Sequence, residues 1–155
     1  MELLIRSAYS TDVEVLYKML CELENEPLDK GSFTEIFLKN LANENVTYLI
    51  VELDHQPVGM ASCHIQLLLH HAAPVAEIQE MYVRPELRSQ GIGQRLIEAI
   101  KKNAQQKGAV QLEVTSNQSR TATHRFYERE GFQKTHYKMV RKEEEGNDTK
   151  KDTSK

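Results

Sequence analysis

Residues 83–100 read VRPELRSQGIGQRLIEAI and set Arg88, Gly91 and Gly93 where an apolar run ends and a helical pattern begins. A helix N-terminus carries unpaired backbone N–H groups and a partial positive charge. Glycines in the preceding turn let that backbone approach a ligand closely. Arg88 adds a formal charge and a bidentate donor fork. Arg88-x-x-Gly91-x-Gly93 therefore reads as an anion cradle, and a diphosphate is its usual occupant. The G-x-x-x-x-G-K-[ST] spacing of a Walker loop is absent, as is the third glycine of a dinucleotide fingerprint. In isolation, a loop whose glycines only turn the chain would look the same.

Two carboxylates, Glu77 and Glu80, lie just upstream in EIQE. By the two-residue strand period Glu77 shares a face with Gln79. A carboxylate there could take a proton, although alternation alone also explains an outward Glu. Tyr127 stands downstream in HRFYEREGF. A phenol of ordinary pKa near 10 keeps its proton at neutral pH and can donate it. The alternative is an interior aromatic beside Phe126. Cys63 is a potential nucleophile with no obvious activating base near it in sequence, and a buried free Cys is commonly a small hydrophobe. His70 and His71 are adjacent, and adjacent side chains of an extended segment point apart. They would chelate one metal poorly, so spacing assigns no metal ligand.

These groups need elements to position them. Residues 3–8 read as a strand, followed by a helix with Thr11 and Glu14 as a capping box. Ser32 is placed to cap a second helix. VTYLIVEL (residues 46–53), the turn DHQP and VGMASCHIQLLL read as a hairpin, and residues 75–83 as a further strand. Ile92, Leu96, Ile97, Ile100 and Ala104 share one helical face, with Gly108 as the C-terminal cap. AVQLEV alternates, setting Val110, Leu112 and Val114 on one side. TATHRFYERE reads as a helix and residues 135–140 as a last strand. The order β-α-α-β-β-β-α-β-α-β predicts a mixed α/β (α+β) domain. Its mostly antiparallel sheet has helices on both faces and ends in a right-handed β-α-β unit.

The chain has 155 residues, 39% hydrophobic and 28% charged, with net charge −3 and pI near 6.1. That fits one globular domain, residues 1–141. A polar tail over residues 142–155 lacks the apolar surface to offset the entropy of ordering, and is expected to be mobile. No global basic field calls for nucleic acid or an anionic membrane. Two cysteines make no disulfide framework, MELLIRSAYS is no signal peptide, and no run reaches membrane-span length. The expected location is the reducing cytoplasm.

RxxGxG after an apolar strand, FYEREGF some forty residues on and the opening IRSAYSTD resemble the GNAT superfamily of acyl-CoA-dependent N-acetyltransferases over about residues 3–141. The resemblance implies the GNAT fold, acetyl-CoA as co-substrate and an amine acceptor. It implies that Arg88, Ser89, Gln90, Gly91, Ile92, Gly93 and Gln94 hold the pyrophosphate of coenzyme A. Met81, Tyr82 and Val83 would pair with its pantetheine arm, with Asn117 as a further contact. It implies Glu77 as the base that takes the proton of the amine and Tyr127 as the acid that protonates the leaving thiolate. Where most members have Asn, seven residues before the tyrosine, this chain has Arg120.

CELE, HIQLLLHH, EIQE and TSNQSRTATHRFYEREGF more narrowly resemble the aminoalkylphosphonate N-acetyltransferases. That resemblance implies a small primary amine bearing a phosphonate, with Glu80, His71, Arg120 and His124 as acceptor-binding residues and His64 and His70 as further candidates. A phosphonate needs cationic or metal partners, and some of these enzymes are linked to divalent metals, so a divalent metal stays open. Acetyl transfer is expected directly to the amine rather than through Cys63. Other acceptors (a polyamine, an amino acid, an aminoglycoside), a non-catalytic acyl-CoA-binding module and a homodimer are also compatible with the resemblance.

Overall fold

The computed structural model describes residues 2–118 and 120–143. The elements are β1 (Leu3–Ser7), α1 (Val13–Glu24), α2 (Lys30–Leu41), β2 (Val46–Leu53), β3 (Gln56–Leu68), β4 (Ala73–Val83), α3 (Ile92–Gln106), β5 (Leu112–Val114) and α4 (Thr121–Arg129). The strands form one five-stranded sheet in the order β1-β2-β3-β4-β5. The first four pair antiparallel, and β4 pairs β5 in parallel across α3. This is the mixed sheet that the element order predicts.

Period-two alternation divides the sheet between two cores. Leu49, Val51, Ala61, Cys63, Ala76 and Ile78 face the apolar stripe of α3 and Tyr127 of α4. Ile50, Met60 and Tyr82 face Leu16, Met19 and Leu20 of α1 and Phe37 of α2. Leu96, Ile100 and Ile50 are fully buried, and each such side chain stabilises the fold by about 1.5–3 kcal/mol relative to exposure. α3 ends at Gln106 with Lys107 as its C-cap, and Gly108 follows with φ +84°, the left-handed C-terminal position expected of it.

The chain start is held by ion pairs. Arg6 donates to both carboxylate oxygens of Asp12 at 2.9 and 3.0 Å and, through Nε, to Glu52 at 2.9 Å. The Tyr9 N–H donates to Asp12 at 2.6 Å. The guanidinium holds the buried Asp12 carboxyl below the usual carboxylate range.

Four local expectations are corrected. α1 starts at Val13 with no side-chain cap, so Thr11 and Glu14 form no capping box; the carboxylate that ties down this corner is Asp12. Asp29, not Ser32, caps α2, its side chain accepting the Ser32 N–H at 2.9 Å. Val110 precedes β5 and is exposed. Residues 135–140 form no strand, and Tyr137, Met139 and Val140 are exposed. A strand exists only where its backbone finds a ladder, and the sheet ends at β5. Most of the tail predicted over 142–155 lies outside the described residues. Among those described, no helix is long and apolar enough to cross a membrane.

Candidate active site

An irregularity in the sheet makes the site. Opposite β3, Ile78 pairs with Cys63 and Glu80 with Ser62, so Gln79 is an extra residue, a β-bulge. The bulge shifts the parity of β4. Ile78 faces the α3 core, yet Glu80 and Tyr82 fall on the α1/α2 side while Met81 packs toward α3. β5 pairs only with Ala76, Glu77 and Ile78. From Gln79 onward the outer edge of β4 has lost that neighbour. A cleft of ≈ 1020 Å³ opens there, lined by β4, the end of α1, the start of α3, the loop after β5 and α4.

The expected anion cradle borders this cleft. Gly91 is the N-cap of α3 with φ +86°, and no side chain caps the helix. Its first N–H groups are left for a ligand or solvent. A Cβ at Gly91 would meet nothing within 4 Å, so its glycine serves the left-handed backbone. Gly93 has another reason: a Cβ there would come within 3.1 Å of the Phe126 ring, so this glycine lets α3 pack on α4. The Arg88 Nε–H donates to the Val83 carbonyl at 2.8 Å, and its guanidinium lies 5.7 Å from the centre of the Tyr82 ring.

Arg88, Ser89, Gly91, Gly93 and Gln94 line the cleft, as do Met81, Tyr82, Val83 and Asn117. Gln90 is not a lining residue and lies 3.5 Å from the Glu86 carbonyl, and the Ile92 side chain is buried in the α3 core. Ser116, also on the cleft wall, has a buried hydroxyl with no hydrogen-bond partner among the described residues. A site with uncapped helix N–H groups, an arginine, an open strand edge and an orphaned hydroxyl fits a diphosphate joined to an amide-bearing arm.

The reactive groups come from both sides of the sheet. Glu80 lines the cleft, and its carboxylate accepts from the fully buried Ser62 hydroxyl. Glu77, the carboxylate that the resemblance favours as base, does not line it and instead accepts from Thr115 Oγ1 at 2.8 Å. Tyr127 lines the cleft from the α3/α4 side, only 9% exposed, with Phe132 edge-on at 5.5 Å. Burial pushes its phenol up to about 12, against a lowering by the Arg120 charge. Arg120 also lines the cleft and donates to the Leu23 carbonyl at 3.2 Å. The Tyr82 hydroxyl donates to Glu22, and burial pushes that phenol up to about 12 as well.

Other candidates lie elsewhere. His71 sits in the turn between β3 and β4, while the cleft lies toward the other end of β4, roughly 25–30 Å along the strand. His70 shares that turn, its ring 4.5 Å from that of His71. His124 bonds the Asn117 carbonyl through Nε2 at 2.7 Å, bracing the loop rather than lining the cleft. His64 pairs across the ladder with Glu77 and is likewise no part of the wall. Cys63 is buried in the α3 core, where burial pushes its thiol up to about 11. No three His, Cys, Asp or Glu residues among those described come together as a metal site. Sequence reasoning passed over Ser62, Ser116 and the α1 residues Leu23 and Glu24 of the wall. The signals available were a serine inside the apolar run VGMASC for Ser62, and the stretches CELE and TSNQSR of the narrower resemblance for Leu23, Glu24 and Ser116.

The acetyltransferase (GNAT) family model matches residues 13–132. The chain is 38% identical over 137 residues to the aminoalkylphosphonate N-acetyltransferase of Salmonella typhimurium, covering 88% of this chain and 89% of that protein. Among solved structures, an aminoglycoside N-acetyltransferase in complex with CoA superposes with a TM-score of 0.83 at 18% identity, over 92% of this chain and 95% of the other. An aminoglycoside 6′-N-acetyltransferase from Acinetobacter baumannii does so with a TM-score of 0.81 at 18% identity, over 94% and 100%. The structures share the fold; the family model and the Salmonella relative carry the lineage. The chain belongs to the GNAT acetyltransferase family and is an acetyl-CoA-dependent N-acetyltransferase that acts on an amine.

Proposed function

We propose that the acceptor is a small primary amine bearing a phosphonate and that it attacks the acetyl group directly, with both substrates bound. One observation carries the reading: besides Arg88 of the cradle, the same cleft wall presents carboxylates at Glu24, Glu80 and Glu130 and guanidiniums at Arg120, Arg125 and Arg129. The C-terminal end of α1 adds partial negative charge beside Glu24. An ammonium suits the first group and a phosphonate dianion the second. The name of the Salmonella relative supports the same acceptor.

An alkyl ammonium of pKa near 10.4 is below about 0.1% neutral at pH 7, and only the neutral amine attacks. Freeing it costs more than about 4 kcal/mol, which a positioned base offsets. Glu80 borders the cleft and takes that proton in this account; Glu77, turned to Thr115, does not. Acetyl-CoA, when bound, supplies the thioester and departs as the thiol. Arg88 and the first turn of α3 hold its diphosphate. Tyr127 donates its proton to the departing sulfur, and a phenol near 12 arrives at that step protonated at any physiological pH. The alternative of an acetyl group carried on Cys63 is disfavoured, because a thiol near 11 outside the cleft wall offers almost no thiolate.

Thiol release from acetyl-CoA with a panel of amines tests this reading. A phosphonate-bearing amine is expected to lead the panel. A polyamine or aminoglycoside in first place would refute the acceptor, and an acetyl-enzyme trapped without any amine would refute direct attack.

A further inference from the structure

We propose that Ser62 is a positioning residue for Glu80, holding its carboxylate at the cleft in the pose that receives the acceptor's proton. This rests on the reading of Glu80 as the base. Ser62 is 0% exposed on β3, between Ala61 and Cys63, which are also buried. A hydroxyl so buried is costly unless it is bonded. Here it is bonded twice, and both times to Glu80. The Ser62 O–H donates to the Glu80 carboxylate, and the Glu80 backbone N–H donates to Ser62 Oγ at 3.0 Å.

These two bonds span the place where the ladder register shifts, between Ser62 and Cys63. A bulge re-aims the side chain that follows it. A long, flexible glutamate at such a point has many poses open to it, and proton transfer needs one. Ser62 fixes the backbone of Glu80 and the tip of its side chain together. The surroundings support the same pose. Tyr48 is the partner of Ser62 on the opposite strand, and its hydroxyl accepts from Asn40 Nδ2 at 2.7 Å. Burial raises that phenol, with a contribution from the negative charge of Glu80, so the carboxylate stands near it. Glu80 is therefore backed by an ordered polar layer and open on its other side to the cleft.

A structural staple would show the same bonds, so the test separates the two roles. Ser62→Ala, Ser62→Thr, Glu80→Gln and the double variant Ser62→Ala/Glu80→Gln are compared with the unmutated chain by thiol release, using the best amine of the panel. Acetyl-CoA affinity by calorimetry and melting temperature are measured alongside. Ser62→Ala is expected to lower kcat at least ~10-fold while the acceptor KM and the acetyl-CoA affinity stay within about threefold. Ser62→Thr, which keeps the hydroxyl, is expected to recover most of the loss. In the Glu80→Gln background the same alanine change is expected to cost under about twofold, because its target is gone. Crystals of Ser62→Ala should show Glu80 in more than one rotamer.

An unchanged kcat in Ser62→Ala, or an equal fractional loss in both backgrounds, would overturn the proposal. Should the alanine variant not fold, Ser62→Cys carries the comparison. Its thiol fills the space but donates weakly, and full activity with it would overturn the proposal too. Undiminished kcat in Glu80→Gln would instead sink the base reading itself, a result distinct from the others.

Discussion

Arg120 donates to the carbonyl of Leu23 across 97 residues of chain. That bond joins the loop after β5 to the end of α1, two walls of one cleft, and the same charge lowers the Tyr127 phenol against its burial. A phosphonate entering beside it would compete with a neutral carbonyl for the guanidinium, and a charged partner makes the stronger bond. Arg120→Ala is therefore expected to narrow the kcat/KM preference for 2-aminoethylphosphonate over ethylamine by about tenfold or more. Acetyl-CoA affinity should stay within about threefold. A preference untouched by the substitution would remove Arg120 from acceptor recognition.

Tyr127→Phe removes one hydroxyl from a buried ring that packs against Phe126 and Phe132. The packing survives and the proton does not. If Tyr127 is the acid, kcat is expected to fall by about 100-fold or more with acetyl-CoA affinity nearly constant, since in that role the O–H acts only as sulfur leaves. With the phenol near 12, deprotonation of Tyr127 should not limit the rate below about pH 11. Steady-state kinetics and a pH–rate profile check both parts. A loss under about threefold with chemistry rate-limiting would make Tyr127 a core aromatic.

The two glycines of the cradle should respond differently. At Gly91 the obstacle is the left-handed backbone, φ +86°, with open space around it. An alanine there costs about 1–2 kcal/mol or moves the turn, and either way the first N–H groups of α3 lose their aim. Calorimetry should show acetyl-CoA binding at least ~5-fold weaker in Gly91→Ala. At Gly93 the obstacle is the Phe126 ring 3.1 Å away, which would have to give by only a few tenths of an ångström, with no backbone strain at the residue itself. Gly93→Ala is expected to bind better than Gly91→Ala; the reverse order would contradict these separate roles.

The Arg6–Asp12–Glu52 cluster sets an acid limit on stability. Arg6 holds the folded Asp12 carboxyl below its unfolded value, near 3.9. A depressed folded pKa gives stability that is present in full above about pH 5 and is lost as pH falls through the folded pKa. Asp12→Asn keeps the shape and removes the charge. Its melting temperature should be lower than that of the unmutated chain at pH 7, by the equivalent of about 2 kcal/mol. The gap should close as pH approaches 2. A gap of constant size across that range would mean that the ion pair contributes nothing of its own.

Much of the scaffold is legible in the sequence because burial enforces periodicity. β2 lies at residues 46–53 as expected, and the stripe from Ile92 to Ala104 is the buried face of α3. The RxxGxG loop and Tyr127 likewise border one cleft. The bulge could not be read. Gln79 is polar and fits either an alternating strand or an extra residue, so residue types alone do not tell whether Glu77 or Glu80 reaches the cleft. His71 lies away from the cleft for a topological reason: nothing in LHH says that a strand of eleven residues will carry it away from the loop after β5. Residues 135–140 alternate like a strand, but a strand needs a partner ladder, which no local pattern can supply.

An acceptor that carries both an ammonium and a phosphonate should be distinguished from a plain alkylamine by one ratio. Thiol release from acetyl-CoA is measured for the unmutated chain with 2-aminoethylphosphonate and with ethylamine under identical conditions. If Arg120 serves the dianion, an acceptor without that group forgoes a charge-assisted bond worth about 1.5–3 kcal/mol, more than a lost apolar contact of similar size. The expected kcat/KM is at least ~100-fold higher for 2-aminoethylphosphonate, about 2.7 kcal/mol of transition-state binding. Equal values for the two amines would contradict the phosphonate acceptor and leave the cleft with a different amine to serve.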